Sequence, residues 1–360
     1  AAIERLEDAF ADRERDEQIA VMGLDAWNVQ ARAIAQEILN RAARDEGRKF
    51  ARTSFLTYGY HTDDVDAFAD RVVGFFQHGQ PLSRSGQLVT SLPMSLLTLY
   101  KAPMARQRVL AVSISQSGRS PDLFEPMQVF EKAGATTVAL VNDISSPLAQ
   151  AVDWAMPLHA GPEKSVAATK SFICGLVAGA RLAGHWGAHA DLLDALKTLP
   201  VALEDACRQD WSSAVEPLRT ASQLMVIGRG PGLAIAQEAA LKFKETCGIQ
   251  AEAFSGAEVK HGPMALVNDN YPMLIFALRG PAQQSLIALA AEMRGRGARV
   301  LLAAPADVAE RDLTLATAPQ EDLDPITAIQ SFYLLVEAVA RARGLDPDQP
   351  PHLSKVTSTR

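Results

Sequence analysis

The chain has 360 residues, a length that predicts about two domains, each large enough to bury a full core. Apolar residues make up 48% of the sequence and charged residues 21%, which is a globular composition. The formal net charge of −7 argues against a general nucleic-acid binder and against a membrane-surface protein. We therefore expect a small ligand that is held by local groups.

The cellular location is predicted from apolar stretches and cysteines. The longest apolar stretch, near residues 171–187, contains Arg181 and His185, and it is too short and too polar to span a bilayer. The first residues are charged where a secretory signal peptide has its apolar core. The three cysteines are odd in number and far apart, which favours reduced thiols over disulfides or a zinc site. We predict a cytoplasmic protein.

From residue 109 onward the sequence alternates between strand and helix patterns. The predicted elements of this first half are a strand at 109–114, a helix at about 120–133, a strand at 136–141, a helix at 145–151, a strand at 153–158 and a long helix from 165. Such alternation predicts parallel strands with helices on both faces of the sheet.

The loop between the first strand and its helix reads Ser115-Gln116-Ser117-Gly118-Arg119-Ser120. It contains three hydroxyls, and its glycine lets the backbone come close to a ligand. The following helix offers free N–H groups and a positive dipole end to an anion. The pattern therefore indicates a phosphate site. The alternative is a strand-to-helix turn whose serines only cap the helix.

A polar helical stretch at 190–221 connects this half to a second one that repeats the theme. The predicted elements there are a strand at 223–228, a helix at 233–247, a strand at 273–278, a helix at 282–295, a strand at 298–303 and a helix at 326–343. The loop Arg229-Gly230-Pro231-Gly232 follows the first of these strands, with the wrong spacing for a dinucleotide fingerprint. In open parallel sheets ligands bind beyond the carboxyl ends of strands, where both glycine-containing loops fall.

The helix predicted at 233–247 carries Glu238, Lys242 and Glu245 on one side, since steps of three or four residues stay on one face. The alternative is a solvated face with ion-pair spacing. His261 then lies in a Gly-Pro turn, where a loop can aim it at a ligand. The proline-rich end of the chain contains Lys355, and its alternative interpretation is a frayed tail.

Five motifs in fixed order carry a family resemblance. They are SQSGRS at 115–120, VAATKSF at 166–172, EAALKFKE at 238–245, AEVKHGPMAL at 257–266 and DQPPHLSKV at 348–356. Over residues 109–357 the chain resembles the sugar isomerase (SIS) domain superfamily, and most closely the isomerase part of glucosamine-6-phosphate synthase. The resemblance implies an α/β fold of two SIS-type subdomains, each a mostly parallel sheet flanked by helices in three layers. We expect a helical segment at 1–45, subdomains at 46–200 and 201–343, and a tail at 344–360 that completes the active site.

The resemblance also implies roles for the residues at matching positions. The implied phosphate ligands are Ser115, Gln116, Ser117 and Ser120. The sugar site is implied to be lined by Val166 and Ala168 and supported by Glu238 and Lys242.

Three further residues match the family's reacting groups. Glu245 resembles the proton-transfer base, His261 the ring-opening residue, and Lys355 the lysine beside the sugar carbonyl. In the family the histidine reaches the site of the neighbouring subunit, so the resemblance implies a homodimer. Thr53 and Ser54 are candidates for the early phosphate loop of the family, although Arg52 stands where that loop has glycine.

Departures from the family pattern favour degradation of amino sugars over their synthesis. The synthase has a glutaminase domain with a nucleophilic cysteine at its start, and this sequence has no cysteine before Cys174. Arg119 replaces the acidic residue that is common after the S-Q-S-G sequence, as in the standalone sugar-phosphate deaminases and isomerases that it resembles. We expect no glutaminase activity.

These observations predict an enzyme without metal or cofactor that converts glucosamine 6-phosphate to fructose 6-phosphate and ammonia. Its expected partners are a small phosphorylated sugar and a second copy of the chain. One alternative is a deaminase or isomerase that acts on galactosamine 6-phosphate or a fructosamine phosphate. The other alternative is a non-catalytic sensor that binds a sugar phosphate.

Overall fold

A computed structural model of the chain describes residues 54–57, 88–105 and 109–353, and the structural statements below concern these residues. The predicted helical segment at 1–45 lies outside them, as do Thr53 and Lys355.

Two parallel β-sheets, each of five strands, form the framework of the described residues. The first sheet contains β1 (Ser54–Thr57), β2 (Leu88–Ser91), β3 (Leu110–Ser115), β4 (Thr136–Val141) and β5 (Trp154–Pro157). The second sheet contains β6 (Gln223–Gly228), β7 (Gln250–Ser255), β8 (Pro272–Phe276), β9 (Arg299–Pro305) and β10 (Leu313–Leu315).

The two sheets share one strand order. The first runs β2-β1-β3-β4-β5 and the second runs β7-β6-β8-β9-β10, so each follows the order 2-1-3-4-5 within its half. Every described strand pair is parallel. In this topology the direction of winding reverses between the first and third strands, and ligands bind at such a reversal.

Helices connect and cover the strands. They are α1 (Ser95–Thr98), α2 (Pro121–Lys132), α3 (Pro147–Gln150), α4 (Lys170–Trp186), α5 (Ala190–Arg208), α6 (Val215–Arg219), α7 (Pro231–Cys247), α8 (Gln283–Gly295) and α9 (Asp324–Ala342). Short 3₁₀ turns occur at Ser212–Ala214, Glu258–His261, Pro263–Leu266 and Glu321–Leu323. The prediction of an α/β fold with two halves, each a parallel sheet flanked by helices, is confirmed.

The core lies between the central strands and the helices that cover them. Every residue of β3 and β4 is buried, as expected for parallel strands that are covered on both faces. Helix α9 is almost entirely buried, and its Ser331 hydroxyl donates a hydrogen bond of 2.9 Å to the Ala206 carbonyl of α5. The predicted connection at 190–221 therefore contains α5, a 3₁₀ turn and α6, and α5 packs onto the core.

One helical run among the described residues, Glu321–Ala342, has the length and apolar composition of a membrane span. Its most apolar window is 83% buried inside the protein, which is the environment of a core helix.

Candidate active site

The loop after β3 has a backbone shape that only glycine allows. Gly118 has a φ of +63°, and a Cβ atom at this position would collide with the side chain of Ser146. The Gly118 carbonyl accepts a hydrogen bond of 3.1 Å from the Leu148 backbone N–H, which ties the loop to α3. The loop is therefore held in a single tight path.

The serines of this loop bond to the loop itself. The Ser115 hydroxyl accepts a hydrogen bond of 3.0 Å from the Gly118 N–H, and the Ser117 hydroxyl accepts one of 3.4 Å from the Arg119 N–H. Both hydroxyls keep their own O–H to donate. Ser120 is buried at the N-terminus of α2, where its side chain does not cap the helix. Within the described residues, the backbone N–H groups of Ser117 and Ser120 have no protein acceptor. The loop thus presents several donors to an anion.

The Arg119 side chain forms an ion pair with Asp143, in a neighbouring loop. Its Nη2 lies 2.9 Å from Asp143 Oδ2, and its side chain is 56% exposed. Hydrogen bonds from Ser145, together with Arg119, lower the pKa of Asp143, so this carboxyl stays ionised. Much of the charge of Arg119 is therefore balanced by Asp143.

Asn142, which follows β4, connects the phosphate loop with the loop at 160–169. Its side chain donates to the Gly161 carbonyl at 2.8 Å and accepts from the Ala160 N–H at 2.9 Å. Its own backbone N–H donates to the Ser115 carbonyl at 3.3 Å. The analysis of the sequence missed this residue, although a polar side chain at the carboxyl end of a buried parallel strand is a recognisable signal.

The loop that contains Val166 and Ala168 is fixed at both ends. The Glu163 carboxylate accepts hydrogen bonds of 2.9 Å from the Ser171 N–H and 2.8 Å from the Ser171 hydroxyl, which satisfies the start of α4. The Val166 N–H donates to the Asp348 carbonyl at 3.2 Å. The beginning of the carboxy-terminal tail therefore lies against the loop that the resemblance assigns to the sugar.

Helix α7 carries a buried cluster of charged side chains, which we call the α7 cluster: Glu238, Lys242 and Glu245. Their side chains are 0%, 3% and 9% exposed. Lys242 Nζ lies 2.5 Å from Glu245 Oε2 and 3.5 Å from Glu238 Oε1. Tyr333 of α9 donates a hydrogen bond of 2.8 Å from its hydroxyl to Glu238 Oε1. One ammonium thus sits between two carboxylates, which excludes the interpretation of a solvated helix face.

The packing of α7 makes this cluster rigid. The helix ends at Gly248, whose left-handed conformation (φ +62°) lets its N–H bond the Phe243 carbonyl. Phe243 packs edge-on against Phe332 of α9, with ring centroids 5.2 Å apart. Burying charges costs folding free energy even when they are paired, and proteins retain such costs mainly at functional sites.

His261 lies at the end of an exposed 3₁₀ turn that begins just after β7. Its neighbour Lys260 forms a 2.5 Å ion pair with Glu292 of α8, which anchors the turn. Among the described residues, no hydrogen bond joins His261 to the α7 cluster of the same chain. The side chain is therefore presented to the outside of this subunit.

Two clusters of predicted residues emerge: the serines of the phosphate loop and the α7 cluster. No hydrogen bond or ion pair among the described residues joins one cluster to the other. Helix α9 packs against both α7 and α4, and α4 begins at the Val166 loop.

Ser54 does not belong with the phosphate loop. It is the first residue of β1, and the β1–β3 register pairs Phe55 with Leu110, at the amino end of β3. At about 3.3 Å per residue, Ser54 lies roughly 20 Å along the sheet from Ser115. The resemblance places a loop after the strand at this position, whereas Ser54 starts the strand, and phosphate binding by Ser54 stays a prediction.

The cysteines do not supply a nucleophile. Burial, with the Glu163 carboxylate nearby, raises the pKa of Cys174 to about 12. Burial also raises the pKa of Cys247 to about 11 and that of Cys207 above its usual value. All three are free thiols, and the raised pKa values leave few thiolates near neutral pH. In the part of the chain that the structure describes, no group of three or more His, Cys, Asp or Glu side chains could hold a metal ion.

Comparison with known proteins identifies the family. Residues 95–183 and 217–341 match the family model for the SIS domain. The chain belongs to the SIS domain family. The glutamine–fructose-6-phosphate aminotransferase (isomerizing) of Zymomonas mobilis is 33% identical over 276 residues, which cover 71% of this chain and 45% of that protein. This SIS chain thus spans about half the length of the curated relatives that it matches.

Solved structures of similar proteins have the same fold. A crystal structure from Silicibacter pomeroyi, described as a candidate phosphosugar isomerase, is 35% identical with a TM-score of 0.80, covering 90% of this SIS chain and 94% of that one. The glucosamine-6-phosphate deaminase of Thermotoga maritima is 19% identical with a TM-score of 0.69, covering 92% of this chain and 99% of that one. At that identity the likeness shows the fold alone.

Proposed function

We propose that this SIS protein is an amino-sugar-phosphate deaminase and isomerase that converts glucosamine 6-phosphate and water to fructose 6-phosphate and ammonia. The observation that carries the proposal is the buried α7 cluster, in which Lys242 holds Glu245 on a rigid helix. A carboxylate in a dry, fixed position suits proton transfer between two carbon atoms.

The phosphate loop supplies the anchor for the substrate. Donors at Ser115, Ser117 and Ser120, together with the N-terminus of α2, suit a phosphate monoester. An anchor on the 6-phosphate fixes the sugar chain, so that C1 and C2 have one orientation relative to the catalytic groups. The bridge between the two clusters is then the substrate itself.

In the proposed reaction, Glu245 moves one proton. After ring opening, Glu245 removes the proton from C2 of the open-chain amino aldehyde and returns it to C1, which leaves an imine at C2. Water adds to this imine and ammonia departs, so the products are fructose 6-phosphate and ammonia. Lys242 keeps Glu245 in place and balances its charge while it is ionised.

The remaining roles rest on the resemblance and on three supporting contacts. Exposure of the His261 turn supports the proposal that this histidine opens the sugar ring in the site of a partner subunit. The Val166–Asp348 hydrogen bond supports a tail that brings Lys355 to the sugar carbonyl. Three free thiols suit the reducing cytoplasm, where we place the reaction.

A screen of hexosamine phosphates tests the proposed function. The purified protein is incubated with glucosamine 6-phosphate, galactosamine 6-phosphate and fructosamine 6-phosphate, and ammonia release is measured, with and without a metal chelator. We expect the fastest release from glucosamine 6-phosphate, no effect of the chelator, and no consumption of glutamine with fructose 6-phosphate. Glutamine consumption, or tight binding of a hexosamine phosphate without any turnover, would overturn the proposal; the second result would favour a sensor.

A further inference from the structure

A cavity of about 370 Å³ opens in the second half of the molecule, away from both clusters of the candidate active site. Four segments line it: the loop after β6 at 229–232, the loop after β8 at 278–282, Ser285 and Leu286 of α8, and the segment that leads into α9 at 321–325. Its volume falls within the roughly 300–1,000 Å³ of small-molecule sites. None of its lining residues belongs to the α7 cluster or the phosphate loop.

The cavity occupies the ligand position of its own sheet. β6 and β8 are the first and third strands of a sheet with order 2-1-3-4-5, so the winding reverses between them. The loop after β8 corresponds to the phosphate loop after β3, the third strand of the first sheet. Both loops lead into long helices, α8 and α2. The second sheet therefore keeps an open crevice at the place where the first sheet carries its serine loop.

Two arginines bring donors to this cavity. Arg279 is held in place by a bidentate pair with Asp324 and by the Ala318 carbonyl, using its Nε and Nη2 groups. Within the described residues its Nη1 group donates no hydrogen bond. Arg229 donates to the Ser285 hydroxyl at 3.3 Å and forms no ion pair with any described carboxylate. A fixed guanidinium and a second one on the same cavity suit an anion with several acceptor oxygens, such as a phosphate group.

The rest of the lining adds one backbone donor and two carboxylates. Gly230 caps the 17-residue helix α7, which begins at Pro231, so the Gly230 backbone N–H adjoins Arg229; Pro231 has no N–H, and the Gly232 N–H donates to the Arg229 carbonyl at 3.2 Å. Glu321 and Asp322 also line the cavity, with Glu321 close enough to Arg279 to affect its pKa, and carboxylates accept hydrogen bonds from hydroxyl groups. The lining therefore offers donors to a phosphate and acceptors to a polyhydroxy group.

We propose that this cavity is a second ligand site, which binds a phosphate monoester of a hydroxylated ring through Arg229 and Arg279. A hexose phosphate and a nucleoside monophosphate share this chemistry. The site is independent of the proposed reaction, since its occupation needs neither Glu245 nor the phosphate loop.

Isothermal titration calorimetry with three probes tests the second site: glucose 6-phosphate, adenosine 5′-monophosphate and inorganic phosphate. A Ser117→Asp background places a carboxylate in the phosphate loop and so blocks the first site. In that background we expect one ester to bind at a single site, and the identity of that ester distinguishes a sugar from a nucleotide source. Adding Arg229→Glu should weaken that binding by about tenfold or more, because a charged hydrogen bond becomes a repulsion.

A matched charge reversal serves as the control. Arg299 is exposed at the amino end of β9, away from the cavity, so Arg299→Glu should leave ester binding unchanged. Thermal melting checks that each variant is folded. The second site is contradicted if neither ester binds in the Ser117→Asp background, if only inorganic phosphate binds, or if Arg229→Glu binds the ester as well as its parent. The calorimetric titration does not depend on turnover. Its outcome is therefore separate from that of the ammonia-release screen, which tests the proposed deaminase.

Discussion

The Tyr333 hydroxyl reaches the α7 cluster from another helix, α9. Its hydrogen bond to Glu238 Oε1 fixes the carboxylate that faces Lys242, and Lys242 in turn holds Glu245. Tyr333 touches no reacting atom in the proposed mechanism, so it is a positioning residue.

Removing this hydroxyl should affect turnover more than folding. We expect Tyr333→Phe to lower kcat of glucosamine 6-phosphate deamination by about tenfold, the scale of one hydrogen bond to a charged group, with KM nearly unchanged. The pH profile of kcat is measured as well, because a purely structural effect would leave its shape unchanged.

Tyr271→Phe is the matched control, since Tyr271 is also a buried tyrosine but lies just before β8. If Tyr333→Phe and Tyr271→Phe have the same kcat and the same pH profile, Tyr333 has no part in positioning the cluster.

At the scale of single residues, local patterns in the sequence were enough to predict part of the candidate site. The spacing of Glu238, Lys242 and Glu245 placed them on one helix face, as the structure has them. Tyr333 could not be inferred, because it lies 95 positions from Glu238 along the chain and only the packing of α9 on α7 joins them. A pairing of that kind depends on tertiary structure.

At the scale of elements, the buried strands were predictable and the two edge strands of the second sheet were not. β4 and β6 have the predicted bounds, because each is a run of apolar residues that ends in turn residues. β7, at one edge of its sheet, reads QAEAFS and is only partly buried, so it lacks an apolar run. β10, at the other edge, has three residues, too few for a periodic signal.

The start of α4 shows how tertiary contacts set a boundary. The apolar pattern predicts a helix from residue 165, and the helix begins at Lys170. Residues before it are held as a loop by Glu163 and by the Asp348 carbonyl. Neither contact is visible in the local sequence, which is why the prediction began the helix too early.

The carboxy-terminal tail is the element whose removal separates folding from activity. Helix α9 ends at Ala342, and Asp348 contacts Val166, so both precede residue 350. We expect deletion of residues 350–360 to leave a cooperative thermal transition and to lower turnover at least about a hundredfold, the scale for a positioned acid, base or covalent group.

Single substitutions refine the tail experiment. Lys355→Ala should reproduce most of the loss caused by the deletion, whereas His352→Ala, a change in the same segment, should keep most of the activity. A truncated protein with normal turnover would show that the tail is a frayed end.

At the scale of the whole molecule, exposure of the His261 turn predicts a site shared between two subunits. Homodimers of Glu245→Gln and of His261→Asn should each be inactive. After mixing and reassociation, each heterodimer contains one site with both natural side chains, so about a quarter of the wild-type activity should return. No recovery, in a mixture shown to contain heterodimers, would place His261 and Glu245 in the same subunit's site or outside catalysis.

The proton transfer assigned to Glu245 is the central claim, and isotope exchange tests it most directly. Glucosamine 6-phosphate is converted in deuterium oxide, and the fructose 6-phosphate formed is analysed by NMR for deuterium at C1. A single base that exchanges with solvent should place deuterium at C1 as ammonia is released. Glu245→Gln should bind the substrate within a few-fold of wild type and slow both processes by about two to four orders of magnitude. Unchanged ammonia release and C1 labelling in Glu245→Gln would contradict the account.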